Sequence, residues 1–191
     1  MNGILGLMLL AVAWAASGAE SVSPYAQEAG AFQGLSVDEI HGLMTGEGMG
    51  MARPAELNHY PGPRHVLDLA PELGLTPEQL ESTEAVYERM RTQAQALGER
   101  IVKEERALNK VFASGTPDVL SLESRLASIG QLRAQLRLAH LAAHLELRPI
   151  LSQAQVELYD QLRGYSEAAP MTQGQQGHGH GHGHGQSHGL N

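Results

Sequence analysis

One helix-opening signal is written three times in this chain. In Leu75-Thr76-Pro77-Glu78-Gln79-Leu80 and in Leu151-Ser152-Gln153-Ala154-Gln155-Val156, a hydroxyl residue stands where the first helical N–H groups need an acceptor. The Gln three residues on can reach back to the cap's own N–H, which closes a capping box. Leu75 with Leu80, and Leu151 with Val156, have the spacing of a hydrophobic staple. Leu35-Ser36-Val37-Asp38-Glu39-Ile40 repeats the grammar with Glu for Gln. These signals predict a short helix over residues 36–45, stopped by Gly46, a long helix opening at Pro77, and a third over 153–163 ending at Gly164.

The long helix should run to about Phe112. Its apolar register is a heptad, with Leu80, Tyr87, Ala94, Ile101 and Leu108 at one seam position and Met90, Leu97 and Val111 at the other. Ser114-Gly115-Thr116-Pro117 closes it and opens the next. A second long helix is expected over 117–148, with a stripe that includes Val119, Leu122, Leu126, Ile129, Leu132, Leu136, Ala139, Ala143 and Leu147, before Pro149 breaks it. So short a loop makes the two an antiparallel hairpin. If Phe112 and Pro117 flank the turn, Met90 faces His140, and Tyr87 or Val86 faces His144. Residues 65–73 add a turn or two of helix interrupted at Pro71. The Gly- and Met-rich tract GEGMGMARP and the PGP at 61–63 read as loop.

The paired Leu-[Thr/Ser]-x-x-Gln motif resembles that of the periplasmic LTxxQ proteins: the Spy/CpxP-type stress chaperones, the zinc-resistance-associated proteins and the related heavy-metal sensors. The resemblance covers residues 62–165. It is good at Thr76 to Gln79 and weaker at Ser152 to Gln155, where Ser-Gln-Ala replaces Thr-Pro-Glu. The tract over 46–63 and the His-Gly tail lie outside the common pattern. The resemblance implies either holding unfolded proteins or handling metal ions, the latter through His pairs on hairpin helices.

Residues 4–16 are almost wholly apolar, about right for a signal-peptide core and short for a membrane span. Ser17-Gly18-Ala19 offers small residues for cleavage, so residues 1–19 are expected to be removed and the mature protein exported to the periplasm, with an uncleaved anchor as the rival reading. There is no cysteine, which excludes disulfides, thiol catalysis and thiolate metal sites. Aromatic residues are only 4% of the chain, so a deep core is not expected. Long helices packed in a thin layer would need a second copy to cover the apolar face, which predicts a homodimer. A net charge of −8 argues against a nucleic-acid partner. No nucleophile elbow, no H-E-x-x-H and no phosphate loop is present, and an enzyme is not expected.

Candidate ligands fall in three places. His140 and His144 are four apart on a helix, so their imidazoles leave one face and can share an ion. Glu84, Glu88 and Met90 on the facing helix could supply oxygen and sulfur donors. Against this, Arg133, Arg137 and Arg148 lie on the same stripe and would repel a cation. In the tail, His178, His180, His182, His184 and His188 alternate mostly with Gly, a composition that builds no core but collects Zn²⁺, Ni²⁺ or Cu²⁺. His41, Met44, Met49 and Met51, with His59, are a soft-ligand cluster, or simply a loop docked on the hairpin by adaptable side chains.

The sequence thus reads as an all-α protein, a long antiparallel helical hairpin with short flanking helices and a disordered His/Gly-rich C-terminal tail. Its parts are a signal peptide (1–19), an N-terminal segment with a short helix and Gly/Met-rich loop (20–64), the hairpin domain (65–165) and the tail (166–191). Two functions stay open. One is a sensor or buffer of divalent zinc, nickel or copper, with a membrane signalling protein as a candidate partner. The other is an ATP-independent chaperone that takes unfolded envelope proteins on the apolar hairpin face.

Overall fold

The computed structural model describes residues 34–166. The elements are α1 (Val37–Thr45), α2 (Arg53–Glu56), α3 (Pro63–Asp68), α4 (Ala70–Leu73), α5 (Pro77–Ala113), α6 (Val119–Leu147) and α7 (Gln153–Arg163), with a 3-10 turn at Arg148–Ile150. No strand occurs among the described residues. The fold is all-α, built on the antiparallel hairpin of α5 and α6. The expected signal peptide and the tail histidines lie outside the described residues.

All three capping boxes form. Ser36, Thr76 and Ser152 accept from the backbone N–H of Glu39, Gln79 and Gln155, whose side chains accept in return from the cap's own N–H. Gly46, Gly74 and Gly164 end their helices in the left-handed conformation that favours glycine. The α5–α6 turn differs from expectation. The second helix opens at Val119, not Pro117, because Asp118 is the cap, its carboxylate accepting from Ser121 N at 2.9 Å. α5 meanwhile continues to Ala113. The facing of the two helices stays within about one helical turn of the expected register. Val86 and Met90 pack on Ala143, and Arg89 pairs with Glu146. Residues 65–73 break at Leu69, with Pro71 inside the first turn of α4. The GEGMGMARP tract contains a helical turn, α2, with Pro54 in its first positions.

Three apolar clusters hold the molecule. In the first, Leu35 and Leu43 from the α1 region seat on Ala94, Leu97, Ile101 and Leu136 of the hairpin. Residues before 65 therefore share the hairpin's core. Burying each such aliphatic side chain contributes roughly 1.5–3 kcal/mol. Close contact is possible because α5 has glycine at the crossing: a methyl on Gly98 would stand 2.0 Å from the Leu43 carbonyl oxygen. The second cluster joins Val66 and Leu73 to Leu147, Leu151, Val156 and Tyr159, fastening α3, α4 and α7 around the base of α6. The third is Val86, Met90 and Ala143 between them.

The stripe read from α6 divides. Ile129 to Leu147 is core, whereas Val119 and Leu126 are exposed. The reason is thickness. α1 covers the hairpin only as far as Val102, and beyond it two helices alone cannot bury a face.

Candidate metal centre

His140 and His144 both face inward, at 3% and 5% exposure. Their helix presents Leu136, His140, Ala143 and Leu147 to α5 at the three-and-four spacing of one face. His144 Nδ1 lies 2.8 Å from the Tyr60 carbonyl oxygen, which can only accept, so Nδ1 is the donor and Nε2 is the nitrogen left for another partner. His140 Nε2 is buried and has no hydrogen-bond partner. Burial, and then the nearby His144, lowers the pKa of His140 from its usual value, which favours the neutral ring. Gly62 is needed beside this pair, since a methyl there would stand 3.0 Å from His144 Cε1 and 2.6 Å from Glu56 Oε1.

Both imidazoles line a cleft of about 860 Å³ between the hairpin and the segment from Thr45 to Asp68. Met90 and Met49 line the same space. Gly48 backs onto His140, where a methyl would lie 3.8 Å from Nδ1. The hairpin thus supplies His140, His144 and Met90, while the loop after α1 supplies the roof.

Glu84 and Glu88 are not brought to this space. Both are exposed, and Glu88 accepts from Arg91 at 2.9 Å. The carboxylate that does reach the cleft is Glu56, from α2. It accepts from Tyr159 at 3.2 Å and Tyr165 at 2.5 Å, with Arg163 at 3.7 Å. His65 lies 4.0 Å from Glu56, its pKa lowered by burial first and by Arg163 second. Nothing local in the sequence announces Glu56 or Tyr60, which tertiary packing alone brings to His144.

The basic stripe has a different place from the one expected. Arg133 pairs with Glu105 at 3.0 Å, Arg148 donates to Gln153 at 2.7 Å, and Arg137 is exposed beside another hollow. None of the three lines the cleft. Arg64, Arg91 and Arg163 do, and Arg64 is tied to Asp68 at 3.1 Å.

The soft-ligand cluster is dispersed. His59 Nδ1 lies 2.6 Å from Asp160 Oδ2, Met51 packs on the first apolar cluster, Met44 faces Val102 and Lys103, and His41 is exposed near Glu47. Only Met49 reaches the cleft. His178, His180, His182, His184 and His188 lie outside the described residues.

A family model described as heavy-metal resistance matches residues 40–157, from α1 into α7. The chain belongs to the heavy-metal resistance family. That family takes in the LTxxQ, zinc-resistance-associated and Spy-like proteins, as the paired Gln motif implied. No curated protein and no solved structure matches the chain. Among the described residues no helix is long and apolar enough to cross a membrane.

The residues present fit an ion of the imidazole-binding kind. A buried Nε2 without a partner is a costly thing to leave in a core, and here His140 shares a cleft with His144 and two methionines. Among the described residues no three His, Asp or Glu side chains converge on a single ion. His65, Glu47, Glu56 and Asp68 line the cleft with His140, His144 and the two methionines, and imidazole with thioether suits zinc, nickel or copper better than calcium or magnesium.

Proposed function

We propose that this protein binds a divalent transition metal in the periplasm and acts there as a sensor or buffer in metal stress, with His140 and His144 as the core ligands. The observation that carries the reading is the unpartnered, buried Nε2 of His140 beside a His144 whose other nitrogen is already committed to Tyr60 O. An outer-sphere carbonyl of that kind sets the tautomer of a ligating histidine. Met90, which lines the same cleft, is the candidate for a third donor on the hairpin. Binding, not catalysis, is the role assigned, and export by cleavage after residue 19 belongs to the same reading.

The test is thermal unfolding with Zn²⁺, Ni²⁺ and Cu²⁺ supplied one at a time. An ion that binds only the folded state raises the melting temperature by mass action. The rise should vanish in His140→Ala/His144→Ala. A melting temperature indifferent to all three ions would reject the site.

A second reading has its own observation. Leu138 and Leu145 stand 63% and 61% exposed on the outer face of α6, one heptad apart, with Phe112, Val119 and Leu120 exposed at the hairpin tip. Such a face suits a second copy of the chain or a weakly held unfolded client. Suppression of aggregation of an unrelated unfolding protein without ATP, lost in Leu138→Glu/Leu145→Glu, would support client binding. Loss of a dimer in the same variant would assign the face to self-association.

A further inference from the structure

The chain has two lysines, Lys103 and Lys110, and both stand on one row of α5. Arg106 lies between them at the three-and-four spacing of a single helix face, and all three are exposed. Among the described residues neither ammonium makes an ion pair or a hydrogen bond. The acids next to them in sequence are turned to α6, Glu104 toward Arg125 at 3.9 Å and Glu105 toward Arg133 at 3.0 Å.

The element beside this row is α1. It runs antiparallel to α5, with Gly34 next to Glu105, Leu43 on Gly98 and Gly46 on the Arg91 carbonyl. Its inner side carries Leu43 into the first apolar cluster. Its outer side carries Val37, Ile40 and Met44 in a row, Val37 at 82% and Met44 at 42% exposure. Between the two helices lies a groove of about 460 Å³. Ile40, Met44, Val102 and Ala107 make it apolar, the three cations line one side, and Glu99 is the single acid lining it.

An apolar row beside a row of long cationic side chains is the layout of a surface that rests in a membrane interface. We infer that this face docks the protein on a membrane surface rich in anionic phospholipid. Val37 and Met44 enter the boundary of the acyl chains, and Lys103, Arg106 and Lys110 meet the phosphates. Lysine suits the place, because its stem lies along apolar surface while the ammonium reaches the headgroups. A mobile point charge also needs no fixed geometry in its phosphate partner. The chain as a whole carries −8, so the attraction has to be local. It can be, since exposed charges farther than about 8 Å from the lipid are largely screened at physiological ionic strength. Two exposed apolar side chains and three cations are a small patch against the roughly 800 Å² per partner of a specific protein interface. A membrane instead favours each nearby cation separately. None of these residues lines the cleft of His140 and His144, so the inference stands apart from the metal site.

The chain has no cysteine, so one introduced by substitution takes a label alone. The full-length Met44→Cys protein, and Glu157→Cys as a control on α7, carry an environment-sensitive fluorophore and are mixed with phosphatidylcholine vesicles with or without phosphatidylglycerol. The label at 44 should shift to the blue with the phosphatidylglycerol vesicles and return in high salt, while the label at 157 stays unchanged. Binding through any other part of the chain is common to both labels and cancels in the comparison. Adding Lys103→Gln/Lys110→Gln to the labelled Met44→Cys protein should weaken vesicle binding by roughly 30-fold. Both lysines are exposed, and circular dichroism checks that the helices persist. No shift at 44, an equal shift with neutral vesicles, or an equal shift at 157 would each overturn the inference. Co-sedimentation of the unlabelled chain guards against an effect of the label, and a Lys103→Gln/Lys110→Gln protein that pellets as well as the wild type also overturns it. A change in oligomeric state in that variant, with vesicle binding untouched, would assign the groove to a second copy of the chain instead.

Discussion

Gln79 and Gln155 hold each other by their side-chain amides: Gln79 Nε2 donates to Gln155 Oε1 at 2.9 Å, and Gln155 Nε2 donates to Gln79 Oε1 at 3.0 Å. Each oxygen also accepts from the N–H of its own helix cap, and each amide nitrogen reaches a backbone carbonyl, Ile150 O and Leu73 O respectively. The motif residue that opens a helix is therefore also the clasp between α5 and α7.

Gln79→Ala removes a cap partner, an amide pair and the bond to Ile150 at once. It should cost about 2–3 kcal/mol of unfolding free energy, more than a cap alone. Gln155→Ala should cost about the same, and the double variant well under the sum, since the two share one network. Urea unfolding of the four proteins measures the coupling, and strict additivity would deny the clasp.

Met90→Leu keeps the volume of a core side chain and should alter stability by less than about 1.5 kcal/mol. It removes the one thioether on the hairpin that lines the cleft. Affinity for copper is expected to fall by more than affinity for zinc, because sulfur favours the softer ion. Chelator competition with both metals decides it, and equal losses would place Met90 in the packing only.

Burial and His144 lower the pKa of His140, and burial and Arg163 that of His65, so both have folded values below the usual one. The unfolded chain takes up these protons near pH ~6.5 and the folded chain only at lower pH, so between the two the unfolded state binds more protons. The metal-free protein should then lose stability as pH falls through about 6.5 and level off once the folded values are passed. His140→Asn should flatten part of that slope in urea unfolding followed across this range. An unchanged slope would show that His140 does not contribute to it.

Gly98→Ala places a methyl 2.0 Å from the Leu43 carbonyl oxygen. Backbone on both sides cannot yield cheaply, so a loss of about 1–3 kcal/mol is expected. Thermal unfolding gives the number, and a neutral substitution would mean that α1 shifts freely.

The helix starts were legible because a capping box is local chemistry: Ser36, Thr76 and Ser152 need only a residue three places on. The inward face carrying His140 and His144 was legible from spacing, which is also local. The start of α6 was less so, since Asp118 took that place from Pro117 and lengthened the turn. What spacing could not supply was the other wall of the cleft. Glu56, Tyr60 and Gly62 reach His144 only because α2 and the strand of chain after it are pinned from afar, His59 on Asp160 and Gly62 N on the Tyr159 hydroxyl at 3.4 Å. Glu84 and Glu88 were drawn to the site by sharing α5 with Met90, yet both are exposed on the helix's other side.

The missing side chain at Gly98 has a wider consequence. α1 meets α5 there with nothing between the two backbones, and the loop that roofs His140 begins only a few residues later, at Gly46. The distance from roof to donors is thus gauged by a position that touches neither. A single methyl at 98 acts as a spacer, raising the roof while His140, His144 and Met90 stay on the hairpin unaltered. For the metal site proposed above, entry and release of an ion would then be tuned separately from its chelation, by a residue whose contribution is the atoms it lacks.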